Sequence, residues 1–225
     1  MSGVVSRPRV AIVDYGMGNL YSVRQACEAA GLDATVTSDP VEVRAADGVV
    51  LPGIGAFEGA IRTLREQGLV DALQSAAASG RPMVGICLGM QLMMEESLEF
   101  GRHEGLGLFE GRVLPFPATS GDGRTWKIPQ VGWNRVSLRR PKVAGTWDAG
   151  GLDEGDVMYF VHSFYVEPAD PAVVVATADY AGLEFCAALG RGNVLAWQFH
   201  PERSAARGLA LYKVFADRLR GHHER

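Results

Sequence analysis

Residues 82–97 read PMVGICLGMQLMMEES, an apolar run in which one cysteine stands with glycine two places to either side. Residues 82–86 carry the short, wholly apolar pattern of a buried strand. From residue 87 the pattern predicts a helix, CLGMQLMMEESLEF, running to residue 100. Gly85-Ile86-Cys87-Leu88-Gly89 then sits where strand turns into helix, with the form G-x-C-x-G. A turn that sharp forces its central residue into strained dihedrals and brings side chains two places away into collision, so glycine is wanted at both flanks. This is the setting of a nucleophile elbow, with sulfur in place of the serine oxygen. Cys87 would stand at a helix N-terminus, whose partial positive charge favours a thiolate. The free amide of Leu88 would point where an oxyanion forms. A cysteine among Val, Ile, Leu and Met also fits plain core packing. By itself the stretch leaves both readings open.

Outward from it, strands and helices alternate. RVAIVDY (9–15) is a β-branched strand, and LYSVRQACEAAG (20–31) places Leu20, Val23, Cys27 and Ala30 at helical spacing before stopping at Gly31. DATVTSD (33–39) and DGVVLPG (47–53) read as strands, and residues 56–68 and 69–80 as helices each closed by glycine. Such alternation implies parallel strands covered on both faces. Past residue 104 the texture changes to strand-like segments (104–116, 127–139, 157–168, 172–180, 185–192 and 194–202) joined by Gly, Pro and Asp turns. The last segment, 204–221, is an amphipathic helix with Leu209, Tyr212, Phe215, Ala216 and Leu219 on one face. The expectation is an α/β fold: a single open, mostly parallel central sheet flanked by helices, with an antiparallel extension. One domain is expected over residues 1–225, with its core at about 9–220.

The chain has 225 residues, 47% hydrophobic and 21% charged, and a net charge of −4 without blocks of like charge. It lacks the basic stripe that neutralises phosphates, so nucleic acid is excluded as a partner. Cysteines stand at 27, 87 and 186, an odd number without a CxxC, so neither a disulfide framework nor a thiolate zinc site is indicated. Free thiols fit a reducing compartment. No run approaches the ~18 apolar residues of a membrane span, and residues 1–10 lack a signal-peptide core. A cytoplasmic location away from membranes is expected. VDYGMGNLY (13–21) offers GxG after a strand, with Asp39 placed like a ribose-binding acid, but Tyr21 occupies the third glycine position. A phenol there obstructs the helix–strand contact that dinucleotide binding needs. Cys87, His162 and His200 lack a metal-ligand spacing. No cofactor and no metal are expected.

Two other segments carry chemistry. In AWQFHPE (196–202), His200 ends an apolar strand and Pro201 biases it to extended conformation. Glu202, two places on, would project to the same side and orient the imidazole, as a carboxylate does for a histidine base. In LPGIGAFEGAI (51–61), Gly53 and Gly55 allow backbone to approach a ligand and leave an N–H free as a second oxyanion donor. Each segment also reads as an ordinary turn. All fall at strand ends, where open α/β sheets bind ligands.

Taken together, GICLGMQ, LPGIGAF and QFHPE resemble the class I, or triad, glutamine amidotransferases. VDYGMGNLYSV, IPQVGWN (128–134) and YFVHSFY (159–165) narrow the resemblance to the glutaminase subunits of imidazole glycerol phosphate synthases, over about residues 9–220. The resemblance implies a flavodoxin-like fold and a triad of Cys87, His200 and Glu202. It implies an oxyanion hole from the Gly53–Ile54 peptide and the Leu88 amide, with glutamine held by Gln91 and by backbone at Ser163 and Phe164. It further implies a heterodimer with a (β/α)8-barrel cyclase subunit that uses the ammonia in histidine biosynthesis, with Asn19, Gln130 and Trp133 near the interface. Glycine freedom in residues 52–55 makes the second hole donor mobile, so low activity is expected without the partner. The rivals are the glutaminase of an anthranilate, GMP or pyridoxal-phosphate synthase, and a non-catalytic redox sensor using Cys87.

Overall fold

The computed structural model describes residues 7–119, 125–139 and 149–223. Its first half alternates strand and helix: β1 (Arg9–Val13), α1 (Leu20–Ala29), β2 (Asp33–Thr37), α2 (Pro40–Ala45), β3 (Gly48–Leu51), α3 (Phe57–Glu66), α4 (Leu69–Ala78) and β4 (Met83–Ile86). Helix α2 was not anticipated, because six residues are too few to show an apolar period. Asp39 starts it: the carboxylate accepts the Val41 N–H at 2.7 Å, and Pro40 opens the first turn. The acid weighed above for a ribose is therefore a helix cap.

The remaining elements are α5 (Leu88–Leu92), β5 (Met94–Ser97), β6 (His103–Glu104), β7 (Phe109–Pro115), β8 (Gln130–Leu138), β9 (Val157–His162), β10 (Phe164–Pro168), β11 (Val174–Tyr180), β12 (Leu183–Arg191), β13 (Val194–Trp197) and α6 (Ala205–His223). The helix expected to run to residue 100 stops at Leu92, and Met94–Ser97 is a strand. The carbonyls a longer helix would need are taken from outside. Leu92 O accepts from Leu106, Met93 O from Leu108, and Met94 O from Gly107, at 2.8–3.1 Å. Tertiary partners here outbid local helix propensity.

Nine strands form one sheet in the order β2-β1-β3-β4-β13-β12-β11-β8-β9. Strands from β2 to β13 run parallel, and those from β13 to β9 are antiparallel. A second sheet, β10-β7-β5-β6, was not foreseen. The segment 157–168, read as one strand, breaks at Ser163 and serves both sheets.

Alternate residues of β1 bury on opposite faces. Val10 and Ile12 join α1 and α6 around Trp197 and Phe215, while Ala11 and Val13 join α3 and α4 around Phe57 and Leu73. On α6, Tyr212, Phe215, Ala216 and Leu219 are buried as expected, Leu211 joins them, and Leu209 stays partly exposed. The parallel strands β3, β4 and β13 end side by side, and the candidate site is built on those ends.

Candidate active site

Cys87 leaves β4 between β3 and β13 with φ 53° and ψ −108°, a left-handed conformation that costs a non-glycine residue ~1 kcal/mol or more. Its N–H donates to Trp197 O at 2.7 Å, and Gln91 N–H reaches back to Cys87 O at 3.2 Å. The flanking glycines have distinct reasons. A Cβ on Gly89 would lie 1.8 Å from Leu51 O, whereas one on Gly85 would lie 2.8 Å from Met93 Sδ and 3.1 Å from Gly89 C. With only five residues in α5, the positive end beside Cys87 amounts to the free N–H groups of one turn.

His200 follows β13 in extended conformation. Its Nδ1 lies 2.8 Å from Glu202 Oε1, with both side chains almost wholly buried. Glu202 reaches back from a 3₁₀ turn, Pro201–Arg203, and not along an extended strand as the sequence implied. The turn is pinned to the free edge of β9. His200 N–H donates to Tyr159 O at 2.9 Å, Tyr159 N–H to Ser204 Oγ at 3.0 Å, and Ser204 Oγ–H to His200 O at 2.7 Å. Burial opposes a charged imidazole here. The charge and hydrogen-bonding reach of Cys87, followed by those of Glu202, outweigh it and push His200 up to about 10. His200 Nε2 has no hydrogen-bond partner of ordinary geometry, so its interaction with Cys87 acts across a gap.

A cleft of about 420 Å³ opens over the sulfur. Ile54, Gly55, Leu88, Gln91, Ser163 and Phe164, all but Gly55 named from the sequence as substrate contacts, line it with Cys87. Gly53 lies behind them, where a Cβ would stand 3.0 Å from Leu88 Cβ, so the two expected hole segments touch. Gln91 Nε2 donates to Phe164 O at 3.1 Å and to Gln198 Oε1 at 3.1 Å, and Gln198 Nε2 lies 3.6 Å from Cys87 Sγ.

Sequence reasoning missed Gln198, Glu99, His162 and Arg203 as site residues. Gln198 stands inside QFHPE, where alternation gave no sign that its amide would turn toward the thiol. Glu99 lines the cleft and is 6% exposed, and its Oε2 accepts the Phe57 N–H at the uncapped start of α3 at 2.8 Å. Burial pushes its carboxyl up, opposed by that hydrogen bond and by His103. His162 Nδ1 lies 2.8 Å from Phe164 O, and burial, opposed by that bond and reinforced by His200, pushes it down to about 4. Arg203 lies over the Tyr159 ring at 4.3 Å.

The residues expected near a partner separate. Trp133 is 55% exposed, with its ring 5.9 Å from Tyr159. Asn19 is exposed and caps α1 through Ser22 N–H at 3.4 Å. Gln130 is 3% exposed opposite His162 on β9, and strand alternation gives the outward place to Val131. Among the described residues, no helix is long and apolar enough to cross a membrane.

A thiol on a strand–helix elbow, a histidine held by a carboxylate and a cleft beside the thiol suit an acyl-transferring hydrolase. The chain belongs to the family Glutamine amidotransferase class-I, whose pattern matches residues 11–216. Two solved structures share the fold. PurLQS from Thermotoga maritima superposes with a TM-score of 0.70 at 20% identity, covering 95% of this chain and all (100%) of that one. The glutaminase domain of Trypanosoma brucei CTPS gives 0.62 at 18%, covering 94% of each.

Curated relatives lie much nearer in sequence. Imidazole glycerol phosphate synthase subunit HisH of Syntrophotalea carbinolica is 49% identical over 92% of this chain and 99% of its own length. The same subunit of Geobacter metallireducens is 46% identical over 92% and 97%. Within the class, the chain belongs to the HisH subunits of imidazole glycerol phosphate synthase.

Proposed function

We propose that Cys87, His200 and Glu202 are the catalytic triad of this glutamine amidotransferase, and that the cleft over Cys87 binds glutamine. The protein is the glutaminase subunit of imidazole glycerol phosphate synthase and serves histidine biosynthesis. The observation that carries the triad reading is the 2.8 Å contact between His200 and Glu202 beside a cysteine held at φ 53°.

Cys87 attacks the side-chain carboxamide carbon of glutamine as the thiolate. The carbonyl oxygen becomes an oxyanion, met by the Leu88 amide and the Gly53–Ile54 peptide. His200, protonated beside Glu202, gives its proton to the departing nitrogen, and ammonia leaves as the thioester forms. The neutral imidazole then takes a proton from water, which attacks the thioester through a second oxyanion and releases glutamate and the thiol. Gln91, Ser163 and Phe164 hold the amino-acid end, and buried Glu99 supplies a carboxylate for the α-ammonium.

The partner is a cyclase subunit with a (β/α)8-barrel fold, paired as a heterodimer in the cytoplasm, and the chain is a single catalytic domain. An outward apolar strip of Val131, Trp133 and Val157 on β8 and β9 supports a partner on that side of the cleft. Because ammonia is protonated once it meets bulk water, delivery requires the two subunits to be in contact.

The test measures ammonia and glutamate release, with the cyclase and its ligand present, for wild type, Cys87→Ala, His200→Ala and Glu202→Gln. All three variants should lose at least ~10³-fold in kcat. Unchanged release by Cys87→Ala refutes the mechanism. Without the cyclase, wild-type turnover should be low.

A further inference from the structure

We infer that Tyr15 is a positioning residue for the oxyanion hole, its phenol holding the Pro52–Gly53 peptide in register with the Leu88 amide. This rests on the reading of Cys87 as the nucleophile. Tyr15 follows the end of β1, is 1% exposed, and donates its O–H to Pro52 O at 2.7 Å. A trans peptide is planar, so anchoring the Pro52 carbonyl fixes the Pro52–Gly53 plane, from whose end the next peptide, Gly53–Ile54, carries the hole donor.

The packing around the phenol leaves no slack. A Cβ on Gly53 would lie 2.0 Å from the phenol oxygen and 3.0 Å from Leu88 Cβ. The tether, the loop it holds and the residue supplying the other hole donor therefore meet at one point, with no room for a methyl group. Burial, and after it the charge of Cys87, push the phenol upward, so it stays a proton donor at any pH at which the enzyme works. The next flexible joint along the loop is Gly55, at φ 107°. Tyr15 thus anchors the loop on one side of the Gly53–Ile54 peptide and leaves the Gly55 side free to turn. Donors of this kind accelerate reaction only when their geometry is set before charge develops. Loosening the anchor acts on the transition state and spares the bound substrate.

Tyr15→Phe removes one oxygen and keeps the ring. In the complex with the cyclase and its ligand, kcat should fall about tenfold while KM for glutamine stays within about twofold of wild type. Glutamine binding measured by calorimetry should be the same for Cys87→Ala and for Cys87→Ala/Tyr15→Phe. A wild-type kcat in a folded Tyr15→Phe, or a KM that rises in step with the loss of kcat, overturns the inference.

A second route uses Gly53→Ala, whose methyl group must drive the phenol off Pro52. Added to Tyr15→Phe, Gly53→Ala should cost less than it does alone, because its nearest obstacle has gone and only the approach to Leu88, 3.0 Å at its Cβ, remains tight. Losses that simply multiply count against the tether. If Cys87→Ala still releases ammonia, the proposed mechanism falls with everything built on it. If Cys87→Ala is dead and Tyr15→Phe is unimpaired, only the tether falls.

Discussion

Gly89→Ala is the substitution whose effect the geometry sets most sharply. Gly89 lies inside α5 with no left-handed φ, so alanine suits its backbone and would gain up to ~1 kcal/mol of helix propensity. Against this, the added Cβ would sit 1.8 Å from Leu51 O and 2.8 Å from Leu51 C. Even a 3.0 Å approach, which real Cβ atoms almost never reach, needs more than 1 Å of movement. Leu51 is paired with Gly85 across the β3–β4 ladder, so the helix has to yield before the strand does. Helix α5 carries the Leu88 amide and adjoins Cys87, and a misplacement of ~1 Å costs on the order of 10²-fold in rate. Overpacking of this kind destabilises by ~1–3 kcal/mol.

Gly85→Ala is the control. Its Cβ meets the flexible thioether of Met93 at 2.8 and 2.9 Å, although Gly89 C at 3.1 Å keeps it from being free. Ammonia release at saturating glutamine, with the cyclase present, and urea unfolding followed by circular dichroism measure both effects. Gly89→Ala should lose at least ~100-fold in kcat, and Gly85→Ala less than about tenfold. A Gly89→Ala enzyme with wild-type kcat, or a Gly85→Ala enzyme that is the more impaired, refutes the close-approach argument.

Three further outcomes are expected. His162 is held at about 4 against 6.5 in the unfolded chain, so it leaves stability unchanged above pH 6.5 and removes it as pH falls from there toward 4. The loss amounts to about 3 kcal/mol, and His162→Gln should flatten the acid side of a pH–stability curve; an unchanged slope contradicts the burial argument. Glu99→Gln keeps the shape but not the charge, so KM for glutamine should rise about tenfold or more with a smaller change in kcat, and an unaltered KM removes Glu99 from substrate recognition. Trp133→Ser should weaken binding of the cyclase by at least ~2 kcal/mol in titration calorimetry while leaving thermal unfolding of the isolated chain near wild type, because the side chain is exposed; unchanged affinity places the interface elsewhere.

Much of the site was legible in the sequence because its chemistry leaves unusual residue patterns. Glycines two places either side of a cysteine have few uses other than a crowded elbow, and His-Pro-Glu after an apolar strand sets a carboxylate near an imidazole. Glu99 was hidden for a physical reason. The apolar period through MQLMMEESLEF suits a helix, and only competition for the carbonyls of residues 92–94 turns the chain into β5 and brings Glu99 to the cleft. The burial of Gln130 was not legible because one residue of register decides which strand side chains face inward and which face solvent. Asp39 was ambiguous because a helix cap and a ribose-binding acid place the same residue in the same position after a strand.

The sequence alone marked the alternating α/β order, the strand-end elbow and Cys87, His200 and Glu202 as the candidate nucleophile, base and orienting carboxylate, because each pattern depends on neighbours within a few residues. The tertiary structure decided which carboxylate and amides line the cleft, how the His200 turn is held against β9, and why Gly89 admits no side chain. Those features arise where segments distant in sequence meet at the ends of β3, β4 and β13. Spacing within any one segment carries no record of such contacts.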